Sequence, residues 1–229
     1  METSRNINDV FREPASKGFS RQEVPRALIE EVLDLARRAP SGVNTQPWNV
    51  FVLQGQACAA LVGLALAGLP GLVATTSGRA AFWEQFNRHP GTSDWPGQGP
   101  QTTGDSYLSA AMAADDAVTT QVKLEPYFRL FDAPVGLMFT ISRDLGLGSL
   151  LDYGMFLQNI VLAARARGLG GCVQTGWKGL ADMVLPSLGA PDDAMLVCGM
   201  ALGYEDASVA PAAAIAEAPA VASFTTWHA

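Results

Sequence analysis

Histidine is nearly absent from this chain: His89 and His228 are the only two in 229 residues. A Ser-His-Asp triad or a zinc site is poorly supplied on that stock. Cysteine is also scarce. Cys58, Cys172 and Cys198 lie far apart and form no C-x-x-C pair, so they read as free thiols and no metal site is expected. Positive charge is in deficit, with 15 Lys and Arg against 22 Asp and Glu and a formal net charge of −7. The basic residues form no stripe, so nucleic acid is not an expected partner. No run of 18 apolar residues occurs. The longest candidate, Ala57 to Leu69, is too short to span a bilayer. The opening METSRNINDVFREP has no apolar signal core. The expectation is a cytoplasmic protein with no membrane partner, whose chemistry comes from a cofactor, from carboxylates or from shape.

What is present is a globular composition, 48 % hydrophobic and 16 % charged, long enough for one domain over 1–229 with a substantial core. Val24, Ala27, Leu28, Val32, Leu33 and Ala36 recur at helical spacing within Glu23–Ala39, and Pro40 ends the pattern. Trp48–Leu53 reads as a strand. Cys58–Leu69 reads as an Ala/Leu helix stopped by Pro70-Gly71, and 78–90 as a further helix. The Gly/Pro-rich stretch within 90–106 is too long for a simple connection and has the character of a lid. Leu108–Val122 suggests a helix, Pro134–Ser142 a buried strand and Leu151–Arg167 a strong helix capped by Gly168. "GGCVQTGW" follows as a loop, then a short helix over Gly179–Leu188 and a buried strand over Ala194–Tyr204. Residues 1–21 and 207–229 are peripheral arms. The class is α+β, a central sheet packed by helices.

One stretch stands out. In "APSGVNTQPW", Pro40-Ser41-Gly42 turns the backbone and exposes N–H groups, while Asn44 and Gln46 each bring a donor and an acceptor. Such groups suit a flat heterocycle with alternating carbonyl and N–H edges, such as a flavin. An ordinary capped turn feeding a strand is the alternative reading of the same residues.

This stretch matches every fixed position of A-P-S-x-x-N-x-Q-P-W, through Ala39, Pro40, Ser41, Asn44, Gln46, Pro47 and Trp48. The chain thereby resembles the nitroreductase family of FMN-dependent reductases. "DYGMFLQNIVLAARARGLGGCVQTGW" (Asp152–Trp177) is similar to the family's long central helix and the loop after it, "FDAPVGLMFTIS" to its middle strand and "VCGMALGYED" to its last core strand. The resemblance implies a nitroreductase-like fold, with a mixed or antiparallel sheet and an interface-swapped homodimer holding two FMN sites. Pro40, Ser41, Gly42, Asn44 and Gln46 would meet the flavin from one subunit. Gln174, Thr175 and Gly176 would meet it from the other, with a backbone N–H of that turn tuning N5. NAD(P)H and a nitroaromatic, quinone or conjugated acceptor would alternate over the exposed ring face.

The phosphate side departs from the family. An R-R-S-x-R-x-F pattern is expected there, and aligned on Phe19 the chain reads "EPASKGF": Pro14 replaces an Arg, Ala15 the Ser and Lys17 the last Arg. Glu217 falls where the family places an Arg before its final arm, and Arg129 remains as a basic partner. A phosphate monoester carries about −1.5 to −2 charges and needs charged donors. Three lost charge-assisted hydrogen bonds, at about 1.5–3 kcal/mol each, amount to roughly three to six decades in affinity. Two readings follow: an FMN-dependent NAD(P)H oxidoreductase, with Lys17 and Arg129 carrying the phosphate side, or a flavin-free member. The flavin-free protein would bind an organic molecule in the same pocket, or cyclise, isomerise or dehydrate it in a biosynthetic role. Among single residues, Asp152 reads as a helix-start cap, Cys172 as a small filler and Lys178 as solvated. Beside the long loop, His89 reads as a surface histidine, with a lid or proton-donor role as the alternative, and Trp83, Phe86 and Trp95 as core anchors, with cover of a substrate pocket as the alternative.

Overall fold

A computed structural model describes residues 11, 15–87, 116–209 and 220–228. His89, Trp95, the 90–106 stretch, Pro14 and Glu217 lie outside the described residues, as do the side chains of Trp83 and Phe86.

Four strands form one sheet in the order β1-β2-β4-β3: β1 (Asn49–Gln54), β2 (Val135–Ser142), β3 (Gly170–Gln174) and β4 (Ala194–Gly203). Every pairing is antiparallel, which selects the antiparallel option of the two expected. The central strands β2 and β4 are almost wholly buried, because both sheet faces are covered. On one face Val135, Leu137, Phe139 and Ile141 of β2 join Cys198, Met200 and Leu202 of β4, under helices α1 (Arg26–Ala36) and α5 (Leu147–Ala166). On the other, Met138, Leu196 and Ala201 pack under α2 (Gly55–Val73), α4 (Ala117–Phe128) and α6 (Ala181–Ser187). Helix α3 (Thr76–Asn87) adds Phe82 to that second core. A bulge lies where Phe139 pairs with Cys198 but Thr140 with Leu196. The extra residue, Val197, reverses the alternation, so that Leu196 faces the second core although Cys198 faces the first.

Three elements differ from the sequence expectations. Helix α2 does not stop at Pro70 but runs through it to Val73. The proline lies one turn from the end on the exposed side, where few intrahelical bonds remain to be lost, while Leu69 and Val73 stay buried on the sheet face. By length and composition α2 and α5 are both apolar enough to cross a bilayer, so the length argument excludes nothing; each lies along the sheet with a buried stripe. Helix α4 runs past the expected end at Val122 to Phe128, and Asp116 caps its start by accepting the Thr119 N–H at 2.8 Å; residues 108–115 of the expected helix lie outside the described residues. "GGCVQ", expected as loop, is the edge strand β3. Its glycines hid the strand, and the packing requires one of them: a Cβ on Gly170 would lie 2.1 Å from the Ser16 Oγ.

Candidate active site

The Ser41–Gln46 segment is folded on itself. The Ser41 Oγ accepts the Gln46 N–H at 3.0 Å, and the Ser41 carbonyl accepts the Asn44 N–H at 3.0 Å. Thr45 donates both its N–H (3.0 Å) and its hydroxyl (2.5 Å) to the Gly42 carbonyl. The Gln46 Nε2 donates to the Asn44 Oδ1 at 3.1 Å, aligning the two amides. This compact form needs left-handed backbone at three non-glycine residues, Val43 (φ 48°), Asn44 (φ 60°) and Gln46 (φ 47°). Asn tolerates that region; a β-branched Val does not, and its side chain is fully exposed. Such strain of about 1–3 kcal/mol per residue persists only where the surroundings fix it.

Helix α5 supplies the fixture. The Gly42 N–H donates to the Asp152 Oδ2 at 3.0 Å. The Tyr153 hydroxyl accepts the Asn49 N–H at 3.2 Å and lies 2.9 and 3.0 Å from the carbonyls of Asn49 and Thr140, as donor to one of them. Burial pushes the Tyr153 phenol well above its ordinary pKa, so it stays a neutral donor. Trp48 stacks on Phe156, centroids 4.7 Å apart and planes within 8°. Asp152, Tyr153 and Phe156 stand at i, i+1 and i+4, on the helix face that meets the segment 42–49. Asp152 is therefore no helix-start cap: α5 begins five residues earlier, at Leu147.

At the far edge of the sheet, β3 ends in a 3-10 turn, Thr175–Leu180. Gln174 is completely buried, and its amide is engaged on both sides. Its Nε2 donates to the Tyr127 carbonyl at 2.7 Å and its Oε1 accepts the Trp177 indole N–H at 3.0 Å. The Gly176 N–H donates to the Tyr127 hydroxyl at 2.8 Å. Gln174 thus faces the interior in place of the ligand contact expected of it, and the Gly176 amide is already bonded within the fold. Thr175 is the exposed residue of the three. Trp177 is fully buried, packed edge-on to Phe128. Tyr127 is the support the sequence did not disclose, since nothing local links it to a glycine 49 residues away.

Within one chain the two turns are not brought together. One precedes β1 and the other follows β3, the two edges of the sheet. Three strand spacings, about 14 Å at roughly 4.8 Å each, separate those edges.

The expected phosphate-side residues lie near the ends of β3 and β4. Ala15 is exposed and has no hydroxyl. The neighbouring Ser16 donates its hydroxyl to the Glu205 carboxylate, and its N–H lies 3.4 Å from the Gly171 carbonyl. Half-buried Lys17 leads into Phe19, which bridges Glu205. Arg129 pairs with Asp132, Nη2 to Oδ1 at 2.5 Å and Nε at 3.1 Å, across a left-handed turn at Leu130, Phe131 and Asp132. Both line a cavity of about 740 Å³ with Arg21, Gln54, Cys58 and Pro134. Burial raises the Cys58 thiol pKa and pushes that of Cys198 up to about 12, so neither is primed as a nucleophile. Cys172 is buried in β3, as a filler would be. Among the described residues no group of three or more His, Cys, Asp or Glu is placed to hold a metal.

An antiparallel sheet with helices packed on both faces places the chain in the α+β class. Comparison with known proteins narrows it. Residues 15–204 match the Nitroreductase family, and the chain belongs to that family. It is 36% identical over 211 residues to a chloronitrobenzene nitroreductase of Comamonas testosteroni, covering 92% of this chain and 91% of the relative. It is 38% identical over 204 residues to a 4-nitrobenzoate reductase of Pseudomonas putida, covering 84% and 82%. Among solved structures, the FMN- and NADPH-dependent nitroreductase NfnB from Sphigopyxis sp. strain HMH superposes with a TM-score of 0.78 at 26% identity, over 98% of this chain and all of that one.

Proposed function

We propose that this chain is an FMN-dependent oxidoreductase that draws on NAD(P)H and reduces a nitroaromatic compound, working in the cytoplasm as a homodimer. The observation that carries this reading is the Ser41–Gln46 turn, folded and held by α5 so that its amides and backbone form one exposed polar edge. On the ring side, Ser41, Asn44 and Gln46, flanked by Pro40 and Gly42, would present the side-chain amides and hydroxyl of this exposed edge to a flavin. The names of the two bacterial relatives support a nitroaromatic acceptor, and the NfnB structure supports FMN and NADPH. Quinones or conjugated acceptors would meet the same edge.

FMN, when bound, supplies the two-electron chemistry between nicotinamide and acceptor. The chain's own residues bind and orient. The separation of the two turns by the width of the sheet supports a site shared between subunits, with Thr175 and Gly176 contributed by the second copy and Gln174 holding that turn from behind. On the phosphate side Lys17 and Arg129 supply positive charge. The flavin-free reading draws on Ala15 and on the Ser16 hydroxyl held by Glu205; the FMN-dependent neighbour weighs against it.

The test is the visible spectrum of freshly purified protein, an FMN titration, and anaerobic reduction of nitrobenzene with NADPH. Flavin bands or uptake with Kd below about 10 µM, together with nitrobenzene-dependent NADPH oxidation, are the expected results. A colourless protein that takes up no FMN at roughly 300 µM would overturn the reading and leave the flavin-free one.

A further inference from the structure

We infer that Asp152 is a positioning residue of this site: its carboxylate clasps the Gly42 N–H and holds the strained Ser41–Gln46 turn in its ligand-ready form. The inference rests on the flavin reading for what the turn receives, but the clasp stands on the fold itself.

Asp152 is 9% exposed, the sixth residue of α5, on the face that packs toward the sheet. Its polar partner among the described residues is the Gly42 N–H, 3.0 Å from Oδ2. A largely buried carboxylate without a partner cation is costly, and an apolar side chain would pack against the same sheet at less expense. Stability therefore does not account for an acid at this position; the bond to the Gly42 N–H does. Among the described residues, every other hydrogen bond of residues 42–46 closes within the turn, between Ser41, Gly42, Asn44, Thr45 and Gln46. Those bonds give the turn its shape but not its place. Trp48 on Phe156 and Asn49 on Tyr153 anchor the chain where it enters β1. Asp152 anchors it at Gly42, on the far side of the three left-handed residues. Without that clasp the segment is anchored from outside only beyond the left-handed residues, at Trp48 and Asn49, and the backbone at Val43 and Asn44 gains room to relax toward ordinary φ values. The amide edge would then be misaligned although the fold persists.

The test compares Asp152→Ala and Asp152→Asn with Val32→Ala, a core truncation in α1 that lowers stability at a residue outside the turn. Two readouts are taken: hydrogen exchange of the Gly42 amide in the flavin-free protein, and the Kd for FMN by fluorescence titration. In Asp152→Ala, Gly42 should exchange about tenfold faster and FMN should bind about tenfold more weakly, the effect of one charge-assisted hydrogen bond. Asp152→Asn keeps an acceptor oxygen at the same reach and should recover most of both. Val32→Ala should change neither. Equal Gly42 protection in wild type and Asp152→Ala would overturn the inference, as would an FMN affinity that falls no further than in Val32→Ala. Faster Gly42 exchange in Asp152→Ala, with a wild-type protein that takes up no FMN, would uphold the clasp and retire the flavin reading alone.

Discussion

Two turns border the proposed site from opposite edges of one sheet, and they are held in opposite ways. The Thr175–Leu180 turn is braced from behind. Fully buried Gln174, Tyr127 and Trp177 close a network in which both amide atoms of Gln174, the Trp177 indole and the Gly176 N–H each have a partner. The Ser41–Gln46 turn is open to solvent, folded on its own hydrogen bonds, left-handed at three side-chain-bearing residues and clasped through one carboxylate. The first kind of turn gains its rigidity from the core, so disturbing it disturbs the fold. The second stores strain at the surface, so disturbing it should alter ligand recognition with little effect on folding. Effects on stability and on binding should therefore separate by edge.

The largest effect is expected at Trp177. Its ring fills the space over Gly199, where a Cβ would lie 2.5 Å from Trp177 Cδ1, and packs edge-on to Phe128. Trp177→Ala should cost about 3–5 kcal/mol, read as a lowered urea midpoint. A loss below about 1 kcal/mol would break the contrast, because the β3-side turn would then not depend on the core. Next comes Gln174→Leu, which keeps the volume but strands the Trp177 N–H and takes one donor from the Tyr127 carbonyl, which keeps a backbone N–H at the helix C-cap. At about 1–3 kcal/mol for the one stranded donor, the expected loss is roughly 1–3 kcal/mol. FMN affinity of the remaining folded protein should change little, since the side chain faces inward. A large affinity loss at unchanged stability would return Gln174 to the ligand side.

The sequence made the surface turn legible and the buried one illegible, for physical reasons. Pro40-Ser41-Gly42 with Asn44 and Gln46 is a local signal, because the bonds that fold the turn span only a few residues. The core strands β2 and β4 were equally plain, as apolar runs. By contrast, the Tyr127 hydroxyl reaches Gly176 across 49 residues, and no local pattern encodes that contact. Strand β3 escaped because Gly170 and Gly171 imitate a loop, although close packing on Ser16 is what demands the glycine. Asp152 was visible as an acid near a helix start. Its task was not, because the true start of α5 at Leu147 puts it a turn and a half inside, against Gly42. Arg129 reads from sequence as a basic partner for a phosphate, and the left-handed turn that returns Asp132 to it leaves no mark of glycine or asparagine in "RLFD".

The smallest effect, and the sharpest separation of the two edges, is expected at Val43. Its side chain is fully exposed, so truncation removes no buried contact. At φ 48° a β-branched residue carries strain that glycine does not. Val43→Gly should relieve roughly 1–3 kcal/mol of strain and add about 0.5–1 kcal/mol of backbone entropy cost, leaving a net change of about 0–2.5 kcal/mol on the stabilising side. The same freedom lets the amide edge of Asn44 and Gln46 sample more conformations, so FMN binding should weaken by less than about fivefold. Calorimetry and an FMN titration on one preparation give both values. A thermal midpoint that holds or rises while affinity falls places strain at this edge in the service of recognition. A clear loss of stability would mean that Val43 is covered in solution, with a second copy of the chain the natural cover for a site shared between subunits.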